Sequence, residues 1–203
     1  MRKLAVEGAA TFGLVFLGTG ACVVDAVSGG RLGVVGVGLA WGAAVWMLAA
    51  ASGAHMNPAV TVASGLPARE IGTRLLVQIA GAFSASLALL LLFRGGAGSL
   101  GTTVPAAGIA VSFGLEFVMT FVLVLAVLAL PGRFVPLAAG AIVALEAVFA
   151  GPLTGASMNP ARSLAPAIVS GRVEGLWIYL LAPTLGGWAA ARFARAAFKR
   201  GSA

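Results

Sequence analysis

The sequence predicts an all-α polytopic membrane protein: six transmembrane helices and two re-entrant half-helices, arranged as an inverted repeat. Three observations predict it. Of 203 residues, 60% are hydrophobic and 9% charged, with a mean hydropathy of +1.05. A soluble domain needs roughly a quarter of its residues charged to cover a water-facing surface. Six stretches have the roughly 20 apolar residues that cross about 30 Å of hydrocarbon, and two more are about half as long. Finally, one helix-starting phrase occurs twice, as "GAHMNPAVTVAS" from residue 53 and "GASMNPARSLAP" from residue 155.

The spans are expected at 5–27, 33–51, 71–93, 109–130, 135–152 and 175–197. The first, "MRKLAVEGAATFGLVFLGTGACVV", has the basic start and apolar run of a signal peptide. It shows no convincing cleavage site and carries Glu7 early, so it reads as a retained span. Cys22 is the single cysteine, which rules out an internal disulfide and suits a small buried packing residue. Gly and Ala at close spacing, as in "GVVGVGLAWGAA", suit tight helix contacts in lipid. The separators are Gly29–Gly30–Arg31, Gly95–Gly96 through Pro105, Pro131–Gly132–Arg133 and Gly171–Arg172.

Two segments remain, 57–67 and 159–170, and each opens with Asn-Pro. A ten-residue helix rises about 15 Å, half the hydrocarbon thickness. Irregular backbone at that depth survives only where it packs in protein or lines a wet cavity. Both segments therefore read as re-entrant half-helices.

The net charge of +7 is distributed as a topology signal. Arg2, Lys3, Arg69, Arg74, Arg133, Arg192, Arg195, Lys199 and Arg200 fall on one side of the predicted spans, and only Arg31, Arg94 and Arg172 occupy the other turns. Positive residues stay inside, so both termini are expected in the cytoplasm, with an even number of spans in the cell membrane. The basic tail suits topology and lipid headgroups, and no nucleic acid is implied.

The chain reads as one domain, 1–203, built from halves of roughly 1–100 and 101–203. Glu7 in "VEGAATFGLVFLG" matches Glu116 in "LEFVMTFVLVLAV", and "VQIAGAFSA" matches "LAPTLGGWA" more weakly. Three spans per half is an odd number, so the second copy sits upside down. Inverted repeats place their shared site near the bilayer midplane, between interrupted helices.

The repeated phrase has a physical purpose. Pro is favoured at the first helical position, where its missing N–H costs nothing. Asn is among the best N-caps, its oxygen holding a free N–H of the first turn. The amide NH2 of Asn57 and Asn159 is then left as a donor facing what lies beyond. Two inverted half-helices bring their positive ends together at the centre, where cations are repelled and a proton wire is interrupted. Arg162 follows Asn159 by three residues and lies on nearly the same side of its helix. A charge there costs about 2.5–3.5 kcal/mol or more, so it faces a wet cavity, or is satisfied by backbone carbonyls, or both.

At these residues the sequence resembles the aquaporin or major intrinsic protein family over essentially its whole length. The run "AGPLTGASMNPARSLAPAIVSG" looks most like the nodulin-26-like branch and its bacterial members. The resemblance implies an hourglass with one pore per subunit and usually four subunits. It makes Asn57, Pro58, Ala59, Asn159, Pro160 and Ala161 the central pore motifs, and Glu7 and Glu116 the braces of the two loops. It also implies an outer selectivity constriction containing Arg162, Ala147 and Ala156, whose two alanines suggest a wide opening. The second-span member is either Trp41, by likeness of "WGAAVWMLAA", or Val37, by ungapped counting. Gly53, Ala54 and His55 become the pore-side loop, offering carbonyls to solute, and Met56 and Met158 pack loops against helices.

Glu146 departs from the family pattern; it binds a loop backbone, pairs with Arg162 or lines the pore. His55 lacks a second His or a nearby Cys, so no metal site and no cofactor are expected. The sequence also lacks a carboxylate pair, a Ser/His/Asp set or a metal-ligand cluster, which argues against an enzyme. The expected function is passive passage of water and small uncharged solutes such as glycerol, boric acid or arsenite, with ions and protons excluded. A water-selective channel is the alternative, and a secondary transporter coupled through Glu146 is a further one.

Overall fold

A computed structural model describes residues 2–93 and 99–198. Arg94, Gly95, Gly96, Lys199 and Arg200 lie outside the described residues. The elements are α1 (Arg2–Val27), α2 (Gly33–Ser52), α3 (Pro58–Ala63), α4 (Ala68–Leu92), α5 (Ile109–Ala129), α6 (Val135–Thr154), α7 (Pro160–Ser170) and α8 (Leu176–Phe198), with one 3-10 turn at Gly132–Phe134. All regular structure among the described residues is helical.

Five helices, α1, α2, α4, α5 and α6, are long and apolar enough to cross a membrane. The sixth expected span, α8, is present but less apolar than the other five. At 23 residues it has the length to cross, but Pro183, Gly186, Gly187, Arg192 and Arg195 dilute its hydropathy. One face of it packs against α5, α3 and α7, and Trp177, Leu181, Leu185 and Trp188 stand exposed on the other.

The first half-helix is also shorter than the expected 57–67. It ends at Ala63 because Gly65 takes φ +78° and Pro67 restricts Leu66 to extended backbone. Pro67 then precedes α4, which starts at Ala68 rather than 71. The second half-helix runs its full length, to Ser170, and ends on Gly171 at φ +73°.

The two halves interlock. α3, from the first half, packs on α8, and α7, from the second, packs on α4. Pairs α1–α4 and α5–α8 flank them, and α2–α6 closes the bundle. These seams run on glycine. A Cβ at Gly42 would lie 2.5 Å from the Gly140 carbonyl oxygen, and one at Gly140 would lie 2.6 Å from that of Gly42. A Cβ at Gly81 would meet the Gly8 oxygen at 2.3 Å, and one at Gly186 the Phe117 oxygen at 2.3 Å. The α1–α4 and α5–α8 contacts thus equate Gly81 with Gly186, one residue off a direct overlay of the two matched phrases.

Backbone atoms cannot yield as a flexible side chain does, so Gly186→Ala is expected to cost about 1–3 kcal/mol of overpacking strain. Gly72, also helical, has nothing within 4 Å of a would-be Cβ. In a thermal melt of the detergent-purified protein, Gly186→Ala lowers the midpoint while Gly72→Ala does not.

Candidate functional site

Asn57 and Asn159 cap α3 and α7 from extended backbone. The Asn57 Oδ1 accepts from Ala59 N at 2.9 Å, and that of Asn159 from Ala161 N at 3.1 Å and Arg162 N at 3.3 Å. The amide nitrogens reach across the bundle. Asn57 Nδ2 donates to the Met158 carbonyl and Asn159 Nδ2 to the Met56 carbonyl, each at 2.8 Å. The half-helices therefore meet tip to tip, cross-tied by a reciprocal pair of bonds.

This corrects the expectation of two wholly free amides. One N–H of each is spent on the opposite loop, and each NH2 keeps a second hydrogen. The methionines do more than pack. Met56 and Met158 sit at φ +53° and +52°, a left-handed conformation that costs a non-glycine residue of order 1–3 kcal/mol. It turns their carbonyls toward the partner asparagines.

Each loop is braced by a buried glutamate. Glu7 Oε1 accepts from Met56 N at 2.6 Å and Gln78 Nε2 at 2.8 Å, while Oε2 pairs with Arg74 at 2.8 Å. Arg74 also bridges to Glu70 at 2.9 Å. Glu116 Oε1 accepts from Ser157 N and the Thr154 hydroxyl, and Oε2 from Met158 N, each at 2.8 Å. The geometry repeats but the charge does not: among the described residues Glu116 has no cation within ion-pair distance.

Arg162 is 3% exposed. Its Nη1 donates to the Gly101 carbonyl at 2.7 Å, and Nη2 reaches that of Gly155 at 3.5 Å. Nε finds no partner among the described protein atoms. The Gly101 loop is tied down by Thr103, whose hydroxyl donates to Ser163 at 2.8 Å. The guanidinium carbon lies 4.7 Å from the Trp41 ring centroid, a cation–π distance. Trp41 rather than Val37 is therefore the second-span residue that faces Arg162. Gly18 makes room for it: a Cβ there would come within 2.3 Å of the indole.

Two cavities flank this plane. One of about 580 Å³ lies toward the end that carries the start of α1. Its lining includes Gly53, Ala54, His55, Asn57, Asn159 and Trp41. The other, of about 340 Å³, lies toward the opposite end and is lined by Val37, Trp41, Ala147, Arg162, Gly155 and Cys22 among others. Trp41 is common to both. Cys22, expected to be a buried packing residue, lines this outer cavity and is only partly buried.

Other expected residues fall elsewhere. Ala156 is buried at φ +42° and belongs to neither lining. Pro58, Ala59, Pro160 and Ala161 are buried helix starts, so only the asparagines of the two triplets reach a cavity wall. His55 Nδ1 lies 3.1 Å from the Thr61 hydroxyl. Among the described residues Glu146 binds no loop backbone and pairs with no arginine, its Oε2 has no partner, and it lines neither cavity.

Several residues escaped the sequence reading. Gln78, Thr154 and Ser163 are buried polar side chains within helical runs, and their only signal was polarity inside an otherwise apolar stretch. Gly18 and Gly101 had no signal beyond being glycine.

Interrupted helices locked tip to tip inside spanning helices, with a cavity on each side, define a transmembrane channel for water and small uncharged solutes. The chain belongs to the major intrinsic protein family, whose model matches residues 1–193. It is 38% identical over 204 residues to aquaporin NIP1-3 of Oryza sativa subsp. japonica, covering 94% of this chain and 71% of that protein. Nodulin-26 of Glycine max is 37% identical over 205 residues, covering 94% and 76%. The fold superposes on the X-ray structure of the aquaglyceroporin from Plasmodium falciparum with a TM-score of 0.87, at 24% identity and covering 97% and 96% of the two chains.

Proposed function

We propose that this chain passes water together with polyol-sized or hydroxylated-metalloid solutes, glycerol, boric acid and arsenite being the type. The route runs from the inner cavity, past the second N–H of Asn57 and Asn159, alongside the stacked Trp41 and Arg162, into the outer cavity. The observation that carries the reading is Arg162 held beside an indole at the junction of two cavities. A passing hydroxyl accepts from the guanidinium while its carbon skeleton slides along the apolar ring.

Ala147 supports the wider substrate range, since it brings only a methyl to the outer side of that plane. The Trp41 ring, shared by both cavities, favours the second reading, a narrower water-selective channel. The residues 1–203 form a single channel domain of two inverted halves. Four copies assemble side by side in the cell membrane, in contact with lipid and with both termini in the cytoplasm, as the weight of Arg and Lys at that end requires.

Stopped-flow light scattering on proteoliposomes separates the two readings. Flux of both water and glycerol is expected, and water flux with glycerol and urea excluded reduces the function to water alone. Trp41→Ala is expected to raise glycerol flux several-fold over the parent. Unchanged glycerol flux in that variant moves the size filter away from Trp41.

A further inference from the structure

Two clefts share a wall at the end of the bundle where α1 begins. One, of about 510 Å³, is lined by Arg2, Lys3, Glu7, Gly53, Ala54 and Arg74 among others. The second, of about 400 Å³, is lined by Lys3, Leu4, Pro67, Arg69, Glu70 and Arg74 among others. Four cations thus converge on two carboxylates, and both carboxylates are already engaged by Arg74. Arg2, Lys3 and Arg69 have no carboxylate partner among the described residues. A concave site in which cations outnumber carboxylates, with three of them left without a carboxylate partner, takes a phosphate well.

The surroundings select the source of that phosphate. Leu4 lines one cleft and Val6 the other. Beyond them, Val6, Leu17 and Leu76 are exposed on α1 and α4, Leu76 to 69%. A polar cleft that opens onto bare apolar helix at the end of a membrane bundle fits a molecule with a charged head and acyl tails. We propose that this double cleft binds the phosphate headgroup of an anionic membrane lipid, with Lys3 and Arg69 as its principal contacts and the tails lying along α1 and α4.

The site adjoins the permeation route. Gly53 and Ala54 line both this cleft and the inner cavity, and Arg74 reaches the Met56 backbone through Glu7. A headgroup seated there braces the loop that carries Asn57. The inference requires that the helices span a membrane, and it is independent of which solute the channel passes.

The test is thermal stability of the full chain in a neutral maltoside detergent, with phosphatidylglycerol, phosphatidylcholine or inorganic phosphate added. Phosphatidylglycerol is expected to raise the melting midpoint by about 5 °C and phosphatidylcholine by about 1 °C or less. Lys3→Gln with Arg69→Gln should remove most of the rise. Arg31→Gln with Arg172→Gln, an equal loss of charge at the other end, should keep it. Equal shifts with phosphatidylcholine, or with inorganic phosphate alone, overturn the lipid assignment, as does a full shift in the Lys3/Arg69 variant. Where that variant yields no folded protein, native mass spectrometry of Arg69→Gln alone decides. The number of retained phosphatidylglycerol molecules is expected to fall by roughly one, and an unchanged number overturns the site. None of these readouts depends on permeation, so failure here leaves the solute reading untouched.

Discussion

Glu116→Ala is expected to abolish permeation and to cost the fold about 3–9 kcal/mol. Three donors, the backbone N–H groups of Ser157 and Met158 and the Thr154 hydroxyl, lose their acceptor, and an unsatisfied buried donor costs about 1–3 kcal/mol. All three lie on or beside the loop that carries Asn159. Met158 is the residue whose strained backbone presents its carbonyl to Asn57, so the cross-tie fails with the brace. Glu116→Gln is milder at Oε1 yet still harmful, because an NH2 in place of Oε2 faces the Met158 N–H. Yield of folded protein by fluorescence-detected size exclusion, followed by stopped-flow water permeability, reads both effects. A folded, water-conducting Glu116→Ala protein overturns the bracing role. Glu7→Ala should be at least as severe, since it also leaves Arg74 with only Glu70.

The second large effect concerns charge. Arg162→Ala is expected to keep water flux within a few-fold while raising proton and cation leak by at least tenfold. A fixed unit charge about 4 Å from a passing cation repels it by about 4 kcal/mol at an effective dielectric near 20, and each 1.4 kcal/mol is tenfold in rate. The fixed cation is held by Gly101 and Gly155 carbonyls against Trp41, so no other side chain takes its position. A pH-sensitive dye inside proteoliposomes, under an imposed potassium diffusion potential, measures the leak. Tight vesicles with the variant would move the barrier to the half-helix starts. α7, with 11 residues, then carries more of that field than α3, with six, because a macrodipole needs aligned peptides to sum.

Most helix positions were legible because they follow from local properties. Apolar length sets a span, Gly and Pro punctuate it, and Asn-Pro opens a helix whatever surrounds it. The misses have identifiable causes. The first half-helix stopped early because a left-handed glycine and Pro67 act together, though either alone is tolerated near a helix end. α8 is less apolar than the other spans because Pro183, Gly186 and Gly187 fill its packed face and Arg192 and Arg195 stand exposed near its C-terminal end. The choice between Trp41 and Val37 was open by counting; in the fold Trp41 stacks on Arg162 in the space left at Gly18, while Val37 lines the outer cavity. None of the contacts foreseen for Glu146 forms among the described residues, and neither cavity includes it in its lining.

By itself the sequence determined a helical membrane bundle with two capped half-helices, because hydropathy, helix rise and capping act within one or two turns of chain. Only the tertiary structure decided that each asparagine ties to the methionine carbonyl of the opposite loop, across separations of 101 and 103 residues. The same holds for the glutamate braces, of which only Glu7 carries a cation among the described residues, and for the aromatic wall beside Arg162. Those are pairings between distant segments, set by how glycine seams let the helices approach, and no local preference of the chain encodes them.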